Sequence, residues 1–349
     1  MRLFACDSCG QIVHFDNRSC VKCGARLGFD ADKLAMFALE ADGAAWRLAG
    51  QPTERRQFCR NEAIDVCNWL VADENDTSFC VACRHNRLVP NASTADGLNR
   101  WRRIGQAQRH LFYSLLKWNL PLPERLADPQ GGLVFDFLED QLQPDGNIVI
   151  PKTGHEEGVI SIRAAEADDV TLAHVRTSMN EPYRTLLGHF RHETGHFIWN
   201  KLVRDKGCFE EFRRIFGDER EDYDEALQRY YSHGPKPNWQ ASFISAYASS
   251  HPWEDFAESF AHLLHIVDTL ETARAFGITI EPRGHEEIAA QILFDPYRAR
   301  SGQQLVDAWV PLSIAVNAIQ RSMGQKDSYP FVMSNPVTMK LGYLNGLLT

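Results

Sequence analysis

The stretch His192-Glu193-Thr194-Gly195-His196 decides the reading of this chain. It falls in a run, residues 181–203, whose pattern predicts a long helix. On a helix, positions four apart lie one turn above each other on the same face, so both imidazoles reach one point. Glu193, one step round, reaches a water at that point without itself being a ligand. Two histidines with a glutamate at this spacing are the residue types that hold a zinc ion and set a base beside it. His189 falls on nearly the same face and with His192 makes a weaker alternative pair. Glu193 in its place favours His192 and His196.

Two histidines require a third ligand from a later element. The stretch His251-Pro252-Trp253-Glu254-Asp255-Phe256-Ala257-Glu258-Ser259-Phe260 supplies the best one. Pro252 suits a first helical turn, and Glu254 and Glu258 then share a face with packing positions. Glu254 is assigned to the metal and Glu258, one turn on, to orienting a ligating imidazole. The reverse assignment stays open from the residues alone.

Eight of the nine cysteines precede residue 84. Cys6-Asp7-Ser8-Cys9-Gly10 and Cys20-Val21-Lys22-Cys23-Gly24 are two pairs whose two-residue gaps let four thiolates surround one ion. Glycine after each second cysteine suits a tight knuckle. Cys59, Cys67, Cys80 and Cys83 form a less regular second set. Four protein ligands leave no open position, so both ions would be structural, compensating for a segment too small to build much core. Cys208 has no cysteine neighbour and receives no role.

The net charge of −9 argues against broad nucleic-acid binding, and residues 1–104 carry 14 Lys/Arg against 13 Asp/Glu, which makes no basic stripe. No stretch is long and apolar enough to span a membrane. The sequence enters a cysteine motif at once, leaving no room for a signal peptide, and reduced thiols at these positions suit the cytosol. A cytoplasmic protein is therefore expected. A turn cluster at Pro90-Asn91-Ala92-Ser93 marks a boundary. After it the pattern is helical from Leu98 to Leu116; an apolar stretch follows at 133–138, and 158–163 alternates like a strand. Helices are expected at 181–203, 208–216, 219–232, 252–273, 283–293 and 302–323.

Beyond these motifs, the chain resembles known families. The helix, the glutamate ligand and the acid four residues later look like the gluzincin metallopeptidases. Glu254-Asp255-Phe256-Ala257-Glu258-Ser259-Phe260 is similar to the third-ligand helix of anthrax lethal factor. In that pattern a tyrosine seven residues before the ligand faces the site, and Tyr247 stands at the matching position. Over nearly its whole length the chain resembles a bacterial family of zinc-binding metallopeptidases with N-terminal zinc ribbons. Cys67-Asn68-Trp69-Leu70, Thr153-Gly154-His155, Glu166-Ala167-Asp168-Asp169, Glu181–His189, Phe216-Gly217-Asp218-Glu219 and Tyr329-Pro330-Phe331 carry that resemblance. It implies an α+β chain with a zinc ribbon and connecting hairpin over 1–50 and a second cysteine segment over 51–92. A mostly helical zincin-like domain with a small sheet follows over 93–349.

The implied activity is zinc-dependent hydrolysis of peptide bonds, with one catalytic and two structural zinc ions. Glu193 is the expected general base. Tyr247 is a candidate donor to the oxyanion, and His155, before the 159–163 strand, is a second. That strand is expected to offer an edge to an extended peptide or protein substrate. Plainer readings stand beside these. Tyr247, Trp199, Trp253, Phe256 and Phe260 can be core, and His262 and His265 can be hydrogen-bonded structural groups. The acidic run Asp218-Glu219-Arg220-Glu221-Asp222 reads as solvated surface. The alternative function is a non-catalytic scaffold whose ribbons bind a protein or nucleic-acid partner, but a scaffold has no need of Glu193.

Overall fold

The computed structural model describes residues 2–73, 78–178, 185–329 and 331–349. The chain is α+β and forms two compact units, residues 1–174 and 175–349.

In the first unit, β1 (Phe4–Ala5) and β2 (Ile12–Val13) pair as the hairpin that carries Cys6 and Cys9. Five strands follow as an antiparallel meander: β3 (Arg26–Asp30), β4 (Ala35–Asp42), β5 (Ala45–Leu48), β6 (Gln51–Phe58) and β7 (Leu70–Ala72). Phe37, Leu39, Leu48 and Leu70 meet on its buried face. The expected border at residues 50/51 falls between β5 and β6, which are neighbours in this one sheet.

A second sheet comprises β8 (Asn86–Leu88) and β9 (Val134–Leu138), with two further strands described below. Between these two strands runs α1 (Ala95–Lys117), started by the Thr94 hydroxyl accepting from the Gly97 amide. Its Tyr113 joins Phe15, Phe29 and Trp69 in one aromatic cluster. Ring centroids lie 4.8 Å apart for Phe15–Phe29, 4.9 Å for Phe29–Trp69 and 5.5 Å for Phe15–Tyr113. These rings come from the first cysteine segment, the meander, the second cysteine segment and α1. The cluster therefore welds the four into one core.

The chain then makes a hairpin of β10 (Gln141–Leu142) and β11 (Ile148–Val149). It returns through β12 (Gly154–Glu156) and β13 (Val159–Arg163) before α2 (Asp169–Ser178). Strand order in the second sheet is β12-β13-β9-β8. This corrects one expectation. β13, residues 159–163, is paired to β9 along its length and to β12 over Val159–Ser161, so that part of its backbone has no free edge for a substrate.

The second unit begins with α3 (Leu186–Trp199), which runs into a π-helical turn at Asn200–Arg204. The Thr185 hydroxyl caps α3 by accepting from Gly188. Residues 181–184, the start of the expected helix, lie outside the described residues. Next come α4 (Phe209–Phe216), α5 (Tyr223–His233) and α6 (Pro252–Ala275). Residues 283–293 are not the expected helix. They hold a 3-10 turn, and β14 (Thr279–Ile280) pairs with β15 (Ala290–Gln291) around it. Two helices, α7 (Gly302–Ser322) and α8 (Asn335–Leu348), complete the unit. No helix among the described residues is long and apolar enough to cross a membrane.

α3 and α6 cross in close contact at the middle of this unit. A Cβ on Gly195 would lie 2.8 Å from Ala257 Cα, so only glycine permits the approach. Phe190, Phe197, Phe256, Phe260 and Leu263 are buried around the crossing. A polar tie reinforces it. Arg191 of α3 donates to His265 Nδ1 at 2.6 Å and to Asp268, and Tyr297 donates to Asp268 from the other side. A buried guanidinium is tolerable only with such partners.

Candidate active site and metal centres

Crossing α3 over α6 brings the histidine pair of one helix against the glutamate of the other. The ligand atoms of His192, His196 and Glu254 lie within 4.8 Å of one another; His196 and Glu254 are buried and His192 nearly so. His192 Nε2 is 3.0 Å from Glu254 Oε2, and His196 Nε2 is 3.4 Å from Oε1. Zinc with N and O ligands at about 2.0–2.2 Å sets tetrahedral ligand–ligand edges of roughly 3.4 Å, so these spacings fit that ion. Oε2 of Glu254 is buried and without a hydrogen-bond donor, as befits an atom aimed at a cation.

The surroundings prepare these groups for a metal. His192 donates from Nδ1 to Glu258 Oε1 at 2.7 Å, which turns its Nε2 toward Glu254. The Ser245 hydroxyl in turn donates to the other oxygen of Glu258. Burial pulls His192 down, but the Glu254 and Glu258 carboxylates override it and hold the imidazole well above its ordinary pKa. Glu254 therefore faces both imidazoles, while Glu258 touches only the outer nitrogen of His192.

Glu193 is buried beside the three. Burial would raise its carboxyl, yet a hydrogen bond from His189 and the charges of His192, His189 and His196 bring it down to about 2. It is ionised at neutral pH and able to accept a proton. His189, weighed above as an alternative ligand, instead donates to Glu193 Oε1 at 3.2 Å and stands outside the ligand set. The His251 ring caps α6 by accepting from the Trp253 amide, and Pro252 occupies the first turn.

Tyr247 lies in a short turn before α6, its ring 5.9 Å from that of His192. Burial, then the charge of Glu254, keeps its phenol protonated and a donor. His155 lies in the first unit on β12, where its Nε2 accepts from the Gly158 amide at 3.0 Å. Phe256 and Phe260 are core, as expected, and Trp199 is buried. Trp253 is different: its ring sits 3.9 Å from that of His196 and walls the ligand. His262 bonds the Tyr329 hydroxyl at 2.6 Å, and His265 takes the Arg191 bond, so both are structural. In the acidic run, Asp218 pairs with Arg220 and Glu219 with Arg213 at the surface.

Sequence reasoning missed Tyr223. Its hydroxyl donates to Glu254 Oε1 at 2.6 Å. No local pattern could have found it, because its partner lies on another helix.

The cysteines also gather as two sets, Cys6, Cys9, Cys20 and Cys23, and Cys59, Cys67, Cys80 and Cys83. Sulfur–sulfur distances are 3.7 Å for Cys6–Cys23, 3.6 Å for Cys9–Cys20 and 3.7 Å for Cys67–Cys80. A disulfide needs about 2.05 Å. Zinc–sulfur bonds of about 2.3 Å put tetrahedral sulfurs roughly 3.8 Å apart, which matches. Gly10 and Gly24 take φ of 71° and 75°, completing the knuckles as the sequence required. Backbone amides of Trp69 and Cys80 point at Cys67 and Cys59 sulfurs, 3.4 Å away, which suits thiolates.

Residues 97–347 match the family described as "Putative zinc-binding metallo-peptidase". The chain belongs to this family. Residues 3–94 match a zinc-ribbon domain family, in agreement with the cysteine geometry. Curated proteins of mycobacteria are similar to nearly the whole of this chain. It is 38% identical over 348 residues to the uncharacterized protein Rv2568c of Mycobacterium tuberculosis, spanning 99% of this chain and 94% of that one. The uncharacterized protein Mb2598c of Mycobacterium bovis matches with the same identity and coverage. No solved structure matches the chain.

Proposed function

We propose that this protein hydrolyses peptide bonds, using a zinc ion held by His192, His196 and Glu254 with Glu193 as general base. One observation carries the reading. Three ligand atoms from crossed helices converge within 4.8 Å, and the buried Glu193 follows His192 on the same helix. A purely structural site would be expected to close with a fourth protein ligand, as the two cysteine sets do.

When bound, zinc would polarise a carbonyl and acidify a water. The rest falls to the chain. Glu193 takes the proton of the attacking water and passes it to the departing amine. Glu258 holds His192 by Nδ1, so the ring presents Nε2 throughout. Tyr247, a protonated phenol beside His192, donates to the oxygen that gains charge in the transition state. The two cysteine sets serve as structural zinc sites for the first unit. Their thiols must stay reduced, which favours a cytoplasmic setting.

Glu193→Gln tests this reading. The variant should keep its zinc and lose cleavage of a mixed peptide library by at least 100-fold, the scale of a lost general base. Cleavage at the wild-type rate would refute the role of Glu193.

A further inference from the structure

One phenol reaches the ligand set from outside the two helices that carry it. Tyr223 is the first residue of α5, a helix whose start is fixed by the Asp222 side chain accepting from the Glu225 amide. Its hydroxyl lies 2.6 Å from Glu254 Oε1. A carboxylate can only accept, so the phenol donates. Its ring makes edge contacts with His251 at 5.3 Å and Trp253 at 5.5 Å.

Packing does not explain that hydroxyl. A phenylalanine would fill the same space between His251 and Trp253 and would leave no buried donor to satisfy. Nor does α5 rest on a core of its own, since Ala226 is its one buried residue. The segment is bounded by Gly217 at φ 107°, ψ −173° and Gly234 at φ 81°, ψ −175°. Both lie in a region open essentially to glycine alone. What ties α5 down is contact with the site. Besides the Tyr223 bond, His251 donates to the Glu221 carbonyl at 3.1 Å, and the Tyr230 ring lies 5.6 Å from that of Tyr247.

The effect on Glu254 is specific. A glutamate side chain turns freely about its last torsion, and either oxygen could face a cation. Oε1 takes the Tyr223 bond and lies 3.4 Å from His196 Nε2, which turns Oε2 toward His192 Nε2 at 3.0 Å. We infer that Tyr223 is a positioning residue of the metal centre: its hydroxyl holds Oε1 of Glu254 and thereby presents Oε2 to the ion. This rests on reading His192, His196 and Glu254 as the ligands.

The test is zinc affinity of the full chain, measured by competition with a chromogenic chelator. It is run on wild type, Tyr223→Phe, Tyr230→Phe and His196→Ala. Visible spectra of cobalt(II) loaded into the most weakly held site accompany it. Tyr223→Phe should weaken that site about 10–100-fold, the usual loss for an outer partner of a ligand. It should also change the cobalt bands, which report coordination and not fold, while Tyr230→Phe matches wild type. Wild-type affinity and spectrum in Tyr223→Phe, with the ion lost in His196→Ala, would overturn the inference and leave the ligand set standing. Equal losses in Tyr223→Phe and Tyr230→Phe would overturn it in favour of a loosened α5. An ion retained by His196→Ala would overturn both this inference and the ligand reading beneath it.

Discussion

Gly195→Ala should empty the histidine–glutamate site. The Cβ it adds would stand 2.8 Å from Ala257 Cα, 3.2 Å from its carbonyl oxygen and 3.3 Å from its Cβ. Non-bonded carbons settle at about 3.5–4.0 Å, so α3 and α6 must part by roughly 0.7–1.2 Å. His192 and His196 flank the substitution on α3, and Glu254 lies one turn before Ala257 on α6. The ligand atoms therefore separate by a similar amount, whereas a zinc site tolerates only about 0.2 Å. The overpacking should cost about 1–3 kcal/mol of stability. In an open helix the same change would stabilise by about 1 kcal/mol, so the sign alone discriminates. The assays are urea unfolding and metal content by mass spectrometry. Adding Ala257→Gly should not rescue the variant, because the nearest atoms are backbone. A Gly195→Ala protein with full zinc and an unchanged or higher midpoint would refute the argument that this crossing sets the ligand geometry.

Two further perturbations probe the two units separately. Asp16 accepts from Gln106 and His110, both at 2.9 Å, and pairs with Arg109 at 3.3 Å, tying the first cysteine segment to α1. Burial pushes its carboxyl up, but His110, Arg109 and Gln106 outweigh that and bring it to about 2. A depressed carboxyl stabilises above its unfolded pKa of about 3.8 and loses that contribution as pH falls through about 2. Asp16→Asn should therefore cost about 2 kcal/mol at pH 7 in urea unfolding, with the gap to wild type closing across that acid window. A gap that persists at pH 2 would count against the ion pairs as its source. In the second unit, Lys340 pairs with the fully buried Asp255 at 2.6 Å and donates to the Ser242 carbonyl. Lys340→Met leaves that carboxyl alone and should cost about 3–5 kcal/mol, much of it restored by adding Asp255→Asn. Equal stability of the single and double variants would contradict this.

Much of the site was legible because its signals are local. Histidines four apart and glutamates four apart each declare one helix face, and the two knuckles of the first cysteine set announce themselves with Gly10 and Gly24. What escaped depends on contacts distant in sequence. Tyr223 has no pattern around it that marks its hydroxyl for Glu254. The alternation of residues 159–163 correctly signalled a strand, but alternation tells which side is buried and not which strands lie alongside. The Gly158 hairpin folds β12 against it and covers the edge over Val159–Ser161. Residues 283–293 carry apolar groups at helical spacing, yet they begin at a turn through Gly284 at φ 73° and form a paired-strand loop. The last helix, α8, was not among the expected helices, and it contains Gly342 and Gly346. The close contact of α7 and α8 constrains Gly302, where a Cβ would meet Gly342 N at 2.6 Å, whereas a Cβ on Gly342 would come no nearer than 3.4 Å to Gly302.

The most direct test of the account is the zinc count per chain by mass spectrometry, in wild type and in a His192→Ala/His196→Ala variant. Three ions falling to two, with the fold of both units kept, is the result predicted for one histidine–glutamate site and two cysteine sites. An unchanged count in that variant would show that His192, His196 and Glu254 hold no zinc, and the proposed peptidase chemistry would fall with them.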